Sequence, residues 1–155
     1  MSVDERMVHD IVQKVVANMQ ITGEVSGMRG VFKDMNDAIN ASIEAQKKVQ
    51  VMSLDQREKI ITNIRRKTRE NAELLANMGV NETGMGNVGD KILKHHLTAD
   101  KTPGTEMITT TAWSGDRGLT LVEMGPFGVI GAITPATNPS ETVICNSIGM
   151  LAGGN

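Results

Sequence analysis

The chain has 155 residues, of which 39% are hydrophobic, with one tryptophan, two phenylalanines and no tyrosine, so aliphatic residues and eleven methionines must supply a thin core. Its net charge of −2, from 16 basic and 18 acidic residues, argues against nucleic acid as a partner, because a phosphate backbone is bound by a basic surface. The single cysteine precludes an internal disulfide, and no apolar run approaches the ~18 residues of a membrane span, so we expect a cytoplasmic protein without membrane association.

The first 20 residues predict an amphipathic helix, followed by a flexible linker at residues 21–30 with three glycines. A helix tethered in this way either docks on its own domain or lies in the groove of a partner protein, and the spacing leaves both open. A membrane-surface anchor is disfavoured, because few basic residues lie near the polar face. The apolar residues recur at i, i+3, i+4, i+7, i+8 and i+11 of one helical face: Val8, Ile11, Val12, Val15, Val16 and Met19.

Two helices are predicted between residues 34 and 80. The first begins at Asp34 or Asn36 and ends after Val49. The second begins at a capping box formed by Ser53 and Gln56. It is predicted to continue as one long helix to about residue 80. The charged run at residues 65–70 inside this helix is interpreted as a solvated face.

Residues 84–89 match the G-x-G-x-x-G pattern of dinucleotide-binding loops. That pattern requires a strand before it, whereas a long helix precedes it here, so a glycine-rich helix end and turn is favoured. His95 and His96 lack further ligands at metal spacing, and no metal site is predicted.

Residues 118–155 predict two strands and a helix. The strands are residues 119–124 and 129–134, joined by a turn at 125–128, while residues 112–116 before them are irregular or an edge strand. Pro139 suits the first helical position, Glu141 is placed to bond back to the cap amide, and the glycines at 153–154 end the helix. This is half of a βαβ crossover, so we expect the front piece of a longer protein or a sheet completed by other chains.

A ligand of such a unit would lie beside the helix N-terminus, near residues 133–138. Asn138 could use both ends of its side chain, the oxygen capping the helix and the NH2 group reaching a substrate oxyanion. The alternative, that Asn138 is only a cap, stays open on these grounds.

Six motifs together closely resemble the aldehyde dehydrogenase superfamily, and the resemblance covers essentially the whole chain. The motifs are SLDQRE at residues 53–58, NETGMG at 81–86, TPG at 102–104, GLTLVE at 118–123, PFGVI at 126–130 and TPATNP at 134–139. The TPG and TPATNP segments resemble the CoA-acylating branch, which converts acetaldehyde or propionaldehyde inside bacterial microcompartments.

The resemblance implies an α/β fold, with residues 31–155 forming the N-terminal part of the NAD-binding domain: a helical region, a β-hairpin, and the first strand and helix of a Rossmann-like sheet. It also implies NAD as hydride acceptor, coenzyme A as co-substrate, a cysteine nucleophile, a small aldehyde substrate and a homo-oligomer when full length. In this family the nucleophile lies beyond the first βα unit, hence past Asn155, so the piece alone is expected to be inactive. Cys145 is interpreted as a small buried thiol.

The resemblance also assigns the site. Asn138 resembles the oxyanion-stabilising amide, although hydrolytic relatives place the asparagine where Thr137 stands, and a carboxamide is the better donor of the two. The segment at the nicotinamide end of the cofactor groove comprises Ile133, Thr134, Pro135, Ala136 and Thr137.

The N-terminal helix and linker resemble the encapsulation peptides of microcompartment enzymes, which favours binding to a shell protein over docking on its own domain. Two functions therefore remain: part of a CoA-acylating aldehyde dehydrogenase housed in a cytoplasmic microcompartment, or a non-catalytic encapsulation or assembly module that binds shell or partner subunits.

Overall fold

The computed structural model describes residues 30–155, so the predicted N-terminal helix and nearly all of the linker lie outside the described residues. Residues 39–155 form one compact unit, and residues 30–38 belong to another. In the described range, no helix combines the length and the apolar character needed to cross a bilayer. The elements are α1 (Met35–Gln50), α2 (Leu54–Glu70), α3 (Ala72–Thr83), α4 (Val88–Lys101), a 3-10 turn (Thr105–Met107), β1 (Thr111–Gly115), β2 (Gly118–Val122) and α5 (Pro139–Ala152).

The starts of α1 and α2 follow the predicted capping chemistry. At α1, the Asp34 carboxylate accepts hydrogen bonds from the amides of Asn36 at 2.8 Å and Asp37 at 3.3 Å, so Asp34 is the cap of the two candidates. At α2, the Gln56 amide donates to Ser53 Oγ at 3.2 Å, and the Ser53 amide donates to Gln56 Oε1 at 2.9 Å. The predicted capping box is confirmed.

The prediction of one long helix to residue 80 is wrong, because the chain leaves helical geometry at Asn71 (φ −112°, ψ 11°) and restarts as α3. The Asn71 side chain donates to the Lys67 carbonyl at 2.8 Å, a local bond that competes with the helical backbone. After this break, Leu74 and Met78 of α3 are 58% and 56% exposed. The face that α3 buries instead carries small residues, which let helices approach closely: Ala72, Ala76 and Gly79.

The core lies between α2 and α5. Ile61 and Ile148 are fully buried there, and Ala152 is 2% exposed. Half-buried aliphatic side chains surround them: Ile64, Ile108, Ile144 and Leu151. Helix α5 therefore packs on α2, although Val143 of α5 is 53% exposed.

Strands β1 and β2 form an antiparallel hairpin with Thr111 opposite Val122 and Gly115 opposite Gly118. The pattern at residues 112–116 thus becomes an edge strand, the second of its predicted alternatives. Gly118 has φ +138°, a region that residues with a Cβ rarely adopt, and it closes the turn. Every residue of both strands is exposed.

The predicted strand at residues 129–134 is wrong: residues 123–138 contain neither helix nor strand. A strand is held by hydrogen bonds to a neighbour, and in the described part of the chain the only sheet is the β1–β2 hairpin. In the middle of this loop, the amides of Phe127 and Gly128 donate to Asn155 Oδ1 at 2.6 Å and 3.1 Å.

Candidate functional site

Asn138 lies where the loop enters α5, half-buried, with Pro139 at the predicted first helical position. Its side chain makes no capping bond, so the prediction that its oxygen caps the helix is wrong. The oxygen instead accepts a hydrogen bond from Lys94 Nζ at 3.1 Å. A charged ammonium donor forms a stronger bond than a backbone amide, which explains the outcome.

The hydrogen bond to the Asn138 oxygen also fixes the position of the NH2 group at the other end of the same amide. Lysine only donates hydrogen bonds, so the amide end nearest Lys94 must be the oxygen and the other end the NH2 group. That NH2 group has a long contact of 3.4 Å to Thr137 Oγ1. It therefore retains donor capacity for a ligand oxygen.

Lys91 anchors the same turn from inside. Its side chain is buried, 3% exposed, and Nζ donates to the Thr137 carbonyl at 2.6 Å. The nearest carboxylate oxygen is Glu141 Oε1, 3.9 Å away, on a side chain only 6% exposed. A buried ammonium is tolerated because a carboxylate and a carbonyl surround it.

Glu141 does not bond back to the cap amide, and that prediction is wrong. Its Oε2 accepts from Ser140 Oγ at 3.2 Å, while Oε1 makes no hydrogen bond within the described residues. The carboxylate lies in the first turn of α5, where the helix carries partial positive charge. Since the protein's own anion already occupies this end, a second anion such as a pyrophosphate is not favoured there.

His95 joins α4 to the start of α5. It is fully buried, with Nδ1 2.7 Å from the Lys91 carbonyl and Nε2 2.9 Å from Ser140 Oγ. Because a carbonyl only accepts, Nδ1 carries a proton. Among the described residues, no group of three or more His, Cys, Asp or Glu side chains could hold a metal ion.

The G-x-G-x-x-G segment is the predicted helix end and turn. Gly84 ends α3 with φ 65°, and Asn87 caps α4 by accepting from the Asp90 amide at 2.9 Å. Its residues nevertheless form one wall of a cavity of about 250 Å³ at the site. The cavity is lined by Met85, Gly86, Asn87, Asp90, Lys91, Lys94, Thr137 and Asn138.

The aldehyde dehydrogenase family model matches residues 7–155. This chain belongs to the aldehyde dehydrogenase family. The match extends over nearly the whole chain, and the resemblance found in the six sequence motifs is confirmed.

The chain is similar to individual members of the family that act on small aldehydes. The chain is 43% identical over 160 residues to acetaldehyde dehydrogenase (acetylating) of Bilophila wadsworthia, covering 97% of this chain and 33% of that protein. It is similar, with 78% identity and a TM-score of 0.78, to the structure of a propionaldehyde dehydrogenase from the Clostridium phytofermentans fucose utilisation bacterial microcompartment, over 81% of this chain and 29% of that one. It is also similar, with 52% identity and a TM-score of 0.77, to the structure of Rhodopseudomonas palustris propionaldehyde dehydrogenase with bound propionyl-CoA. This similarity covers 81% of this chain and 28% of that one. The chain spans about a third of the length of the relatives it matches.

Residues 133–137 precede Asn138 in this aldehyde dehydrogenase segment and are all exposed. Ile133 is 99% exposed, and Pro135 and Ala136 add a small apolar surface beside it. An exposed apolar strip can contact the face of a planar ring, and it offers no counter-charge to a phosphate. These five residues are contiguous with Asn138, and of the five only Thr137 lines the cavity with it.

Cys145 is not brought to the site. It is half-buried rather than fully buried, and its Sγ lies 3.2 Å from Thr102 Oγ1. It follows Asn138 by seven residues, which is about 10 Å along a helix.

The sequence singled out Asn138 as a candidate but did not indicate the two lysines that contact its turn, Lys91 and Lys94. Lys91 and His95 are four residues apart, and that spacing signals one helical face. Nothing in the sequence links that face to residues more than 40 positions later.

Proposed function

We propose that this chain is the N-terminal portion of an NAD-dependent, CoA-acylating aldehyde dehydrogenase. The full-length enzyme converts acetaldehyde or propionaldehyde, NAD and CoA to acyl-CoA and NADH through a cysteine thioester, and residues 31–155 begin its NAD-binding domain. The observation that carries this is the similarity to acylating relatives over nearly the whole chain, including one with bound propionyl-CoA. The chain by itself is inactive in this proposal.

In the proposed reaction, Asn138 stabilises negative charge on the aldehyde oxygen. When a thiolate attacks the aldehyde carbon, that oxygen becomes an oxyanion, and a fixed N–H donor lowers the barrier because it is already oriented. The oriented NH2 group of Asn138 and its place in a cavity support this role. Thr137, whose carbonyl is held by Lys91, has a backbone role.

The nicotinamide end of NAD would rest on Ile133, Thr134, Pro135, Ala136 and Thr137. NAD supplies the hydride acceptor when bound. The exposed apolar strip supports contact with the ring, and because the strip is continuous with Asn138, a ring bound there would lie close to the substrate that Asn138 contacts.

The test uses the full-length protein. NADH formation from propionaldehyde and from acetaldehyde is measured with NAD in the presence and absence of CoA, and residues 1–155 expressed alone serve as the inactive control. We expect turnover to require CoA. Equal NADH formation without CoA would contradict the acylating proposal.

We further propose that residues 8–19 form a targeting helix that binds a microcompartment shell protein. The helical spacing supports this, as does the origin of one relative from a bacterial microcompartment. In the full-length protein, Val12→Glu with Val15→Glu should abolish co-purification with shell, whereas Asn18→Glu on the polar side should not. If the double variant still partitions with shell, the targeting assignment fails.

A further inference from the structure

Two lysines on one face of α4 hold the Thr137–Asn138 turn at two points. Lys91 donates to the Thr137 carbonyl at 2.6 Å, and Lys94 donates to Asn138 Oδ1 at 3.1 Å. Residues three apart lie side by side on a helix, so both ammonium groups reach the same turn. One fixes the peptide, and the other fixes the side chain.

Lys91 is the structural half of this pair. An ammonium 3% exposed is costly to bury, and its 2.6 Å bond and the Glu141 carboxylate at 3.9 Å compensate. The carbonyl that it holds belongs to the residue directly before Asn138. Fixing this peptide limits the directions in which the Asn138 side chain can leave the backbone.

Lys94 acts on the electron distribution of the Asn138 carboxamide. A cation on the oxygen of a carboxamide draws electron density from its nitrogen, which makes the NH2 group a stronger donor. The bond also sets which end of the amide enters the cavity. Lys94 itself is exposed, so solvent weakens but does not remove this effect.

We propose that Lys91 and Lys94 form a two-point clamp that positions Asn138 and strengthens its NH2 group as the oxyanion donor. This rests on the proposed function, since it requires a substrate oxyanion at Asn138. Both lysines are positioning residues: they act through Asn138 and touch no reacting atom. The clamp also selects Asn138 over Thr137 as the residue that meets the substrate.

The first test is a double-mutant cycle in the full-length enzyme. Lys94→Met should lower kcat about tenfold with little change in KM for the aldehyde, because the lost interaction operates in the transition state. Lys94→Arg, which keeps the charge and a donor, should recover kcat to within about threefold of wild type. In an Asn138→Ala background, Lys94→Met should have no further effect, since the group through which it acts is gone.

The second test addresses Lys91. Removing it alone would leave Glu141 buried without a counter-charge, so the variant is Lys91→Met with Glu141→Gln, which neutralises both groups. We expect a loss of kcat of about tenfold with a retained thermal midpoint. Lys101→Met, an exposed lysine at the end of the same helix, is the matched control and should leave kcat unchanged.

Three results would overturn the clamp. The first is an unchanged kcat in Lys94→Met or in the neutralised Lys91 variant. The second is a full effect of Lys94→Met in the Asn138→Ala background. The third is a raised KM for CoA or NAD at unchanged kcat in Lys94→Met, which would make Lys94 a phosphate-binding residue. A wild-type enzyme without CoA-dependent turnover would instead contradict the proposed function, so the two failures are distinguishable.

Discussion

At the scale of single residues, the site depends on the hydrogen-bond partners of the two ends of the Asn138 side-chain amide. The Asn138 oxygen bonds to Lys94 and not to the amides of α5, and the first turn of that helix is instead supplied with the carboxylate of Glu141. Lys94 thus holds the oxygen that would ordinarily cap the helix, and the NH2 group at the other end of the amide stays available as a donor. The helix begins here because Pro139 suits its first position.

The first prediction separates the two candidates for the substrate-facing residue. In the full-length enzyme, Asn138→Ala should lower kcat about 100-fold, the cost of one oxyanion donor. Thr137→Val removes the hydroxyl and keeps the carbonyl that Lys91 holds, so kcat should stay within about threefold. Steady-state kinetics with propionaldehyde measure both, and the reverse order would assign the role to Thr137.

The second prediction concerns the only cysteine of the chain. Cys145→Ala removes a half-buried thiol that contacts Thr102, about 10 Å along α5 from Asn138. We expect kcat within about twofold of wild type and a loss of stability of about 1 kcal/mol. A variant that folds but forms no NADH would identify Cys145 as the nucleophile.

At the scale of secondary-structure elements, Arg65 ties α2 to the end of α4. Its guanidinium is 14% exposed and donates to the carbonyls of Ala99 at 2.7 Å and Thr102 at 2.8 Å. These carbonyls lie at a helix end, where no helical partner is available. The prediction of a solvated face is therefore wrong for Arg65, although Arg66 and Lys67 of the same run are exposed.

The third prediction follows from this contact. Arg65→Met keeps most of the apolar stem and leaves two half-buried carbonyls without their donor, which should cost about 2 kcal/mol of unfolding free energy. Arg66→Met, which breaks an exposed ion pair with Glu70 and an exposed hydrogen bond to Asn63, should cost less than about 0.5 kcal/mol. Urea denaturation of the full-length protein measures both, and equal effects would contradict the role given to Arg65.

The fourth prediction concerns pH. Hydrogen bonds from the Gly104 amide, at 2.8 Å, and from its own amide, together with the nearby Arg65, hold the pKa of Glu106 below its ordinary value of 4.5. Because the pKa is lowered in the folded state, the ionised carboxylate stabilises the fold above the unfolded value, and this stabilisation is lost as pH falls through the folded value.

Glu106→Gln should therefore be less stable than wild type at neutral pH, by about 0.5 kcal/mol given its 59% exposure, and the difference should shrink as pH falls below 4.5 and through the lowered pKa of the folded state. Denaturation midpoints at a series of pH values check this. Glu82→Gln on the exposed end of α3 serves as control. A stability difference between Glu106→Gln and wild type that widens at acid pH would contradict the expected direction of the pH dependence.

Local signals predicted the start of α2, the proline at the start of α5 and the glycine end of α5, but they missed one strand and one helix break. The capping box at Ser53, the proline at 139 and the glycine end of α5 depend on neighbours within four residues, and each is found in the structure. The strand at residues 129–134 needed a second strand, and the long helix failed at Asn71, where one side-chain bond competes with the backbone. The spacing of apolar residues reveals neither whether a partner strand is present nor whether a side chain competes with the helical backbone.

At the scale of the whole molecule, the site joins segments far apart in sequence. Lys91 and Lys94 meet residues 46 and 44 positions later, and the rejected glycine motif supplies a wall of the cavity. The sequence therefore indicated Asn138 through its motif but not the helix that orients it. The family was recognisable from six short motifs, because their order along the chain is more specific than any one of them.

The most direct test of the central claim is the product of the full-length enzyme. Propionaldehyde is incubated with NAD and CoA, and NADH, propionyl-CoA and free propionate are quantified together. The account predicts propionyl-CoA and NADH in about equal amounts, with almost no free acid. NADH accompanied by propionate, with CoA left unconsumed, would contradict it.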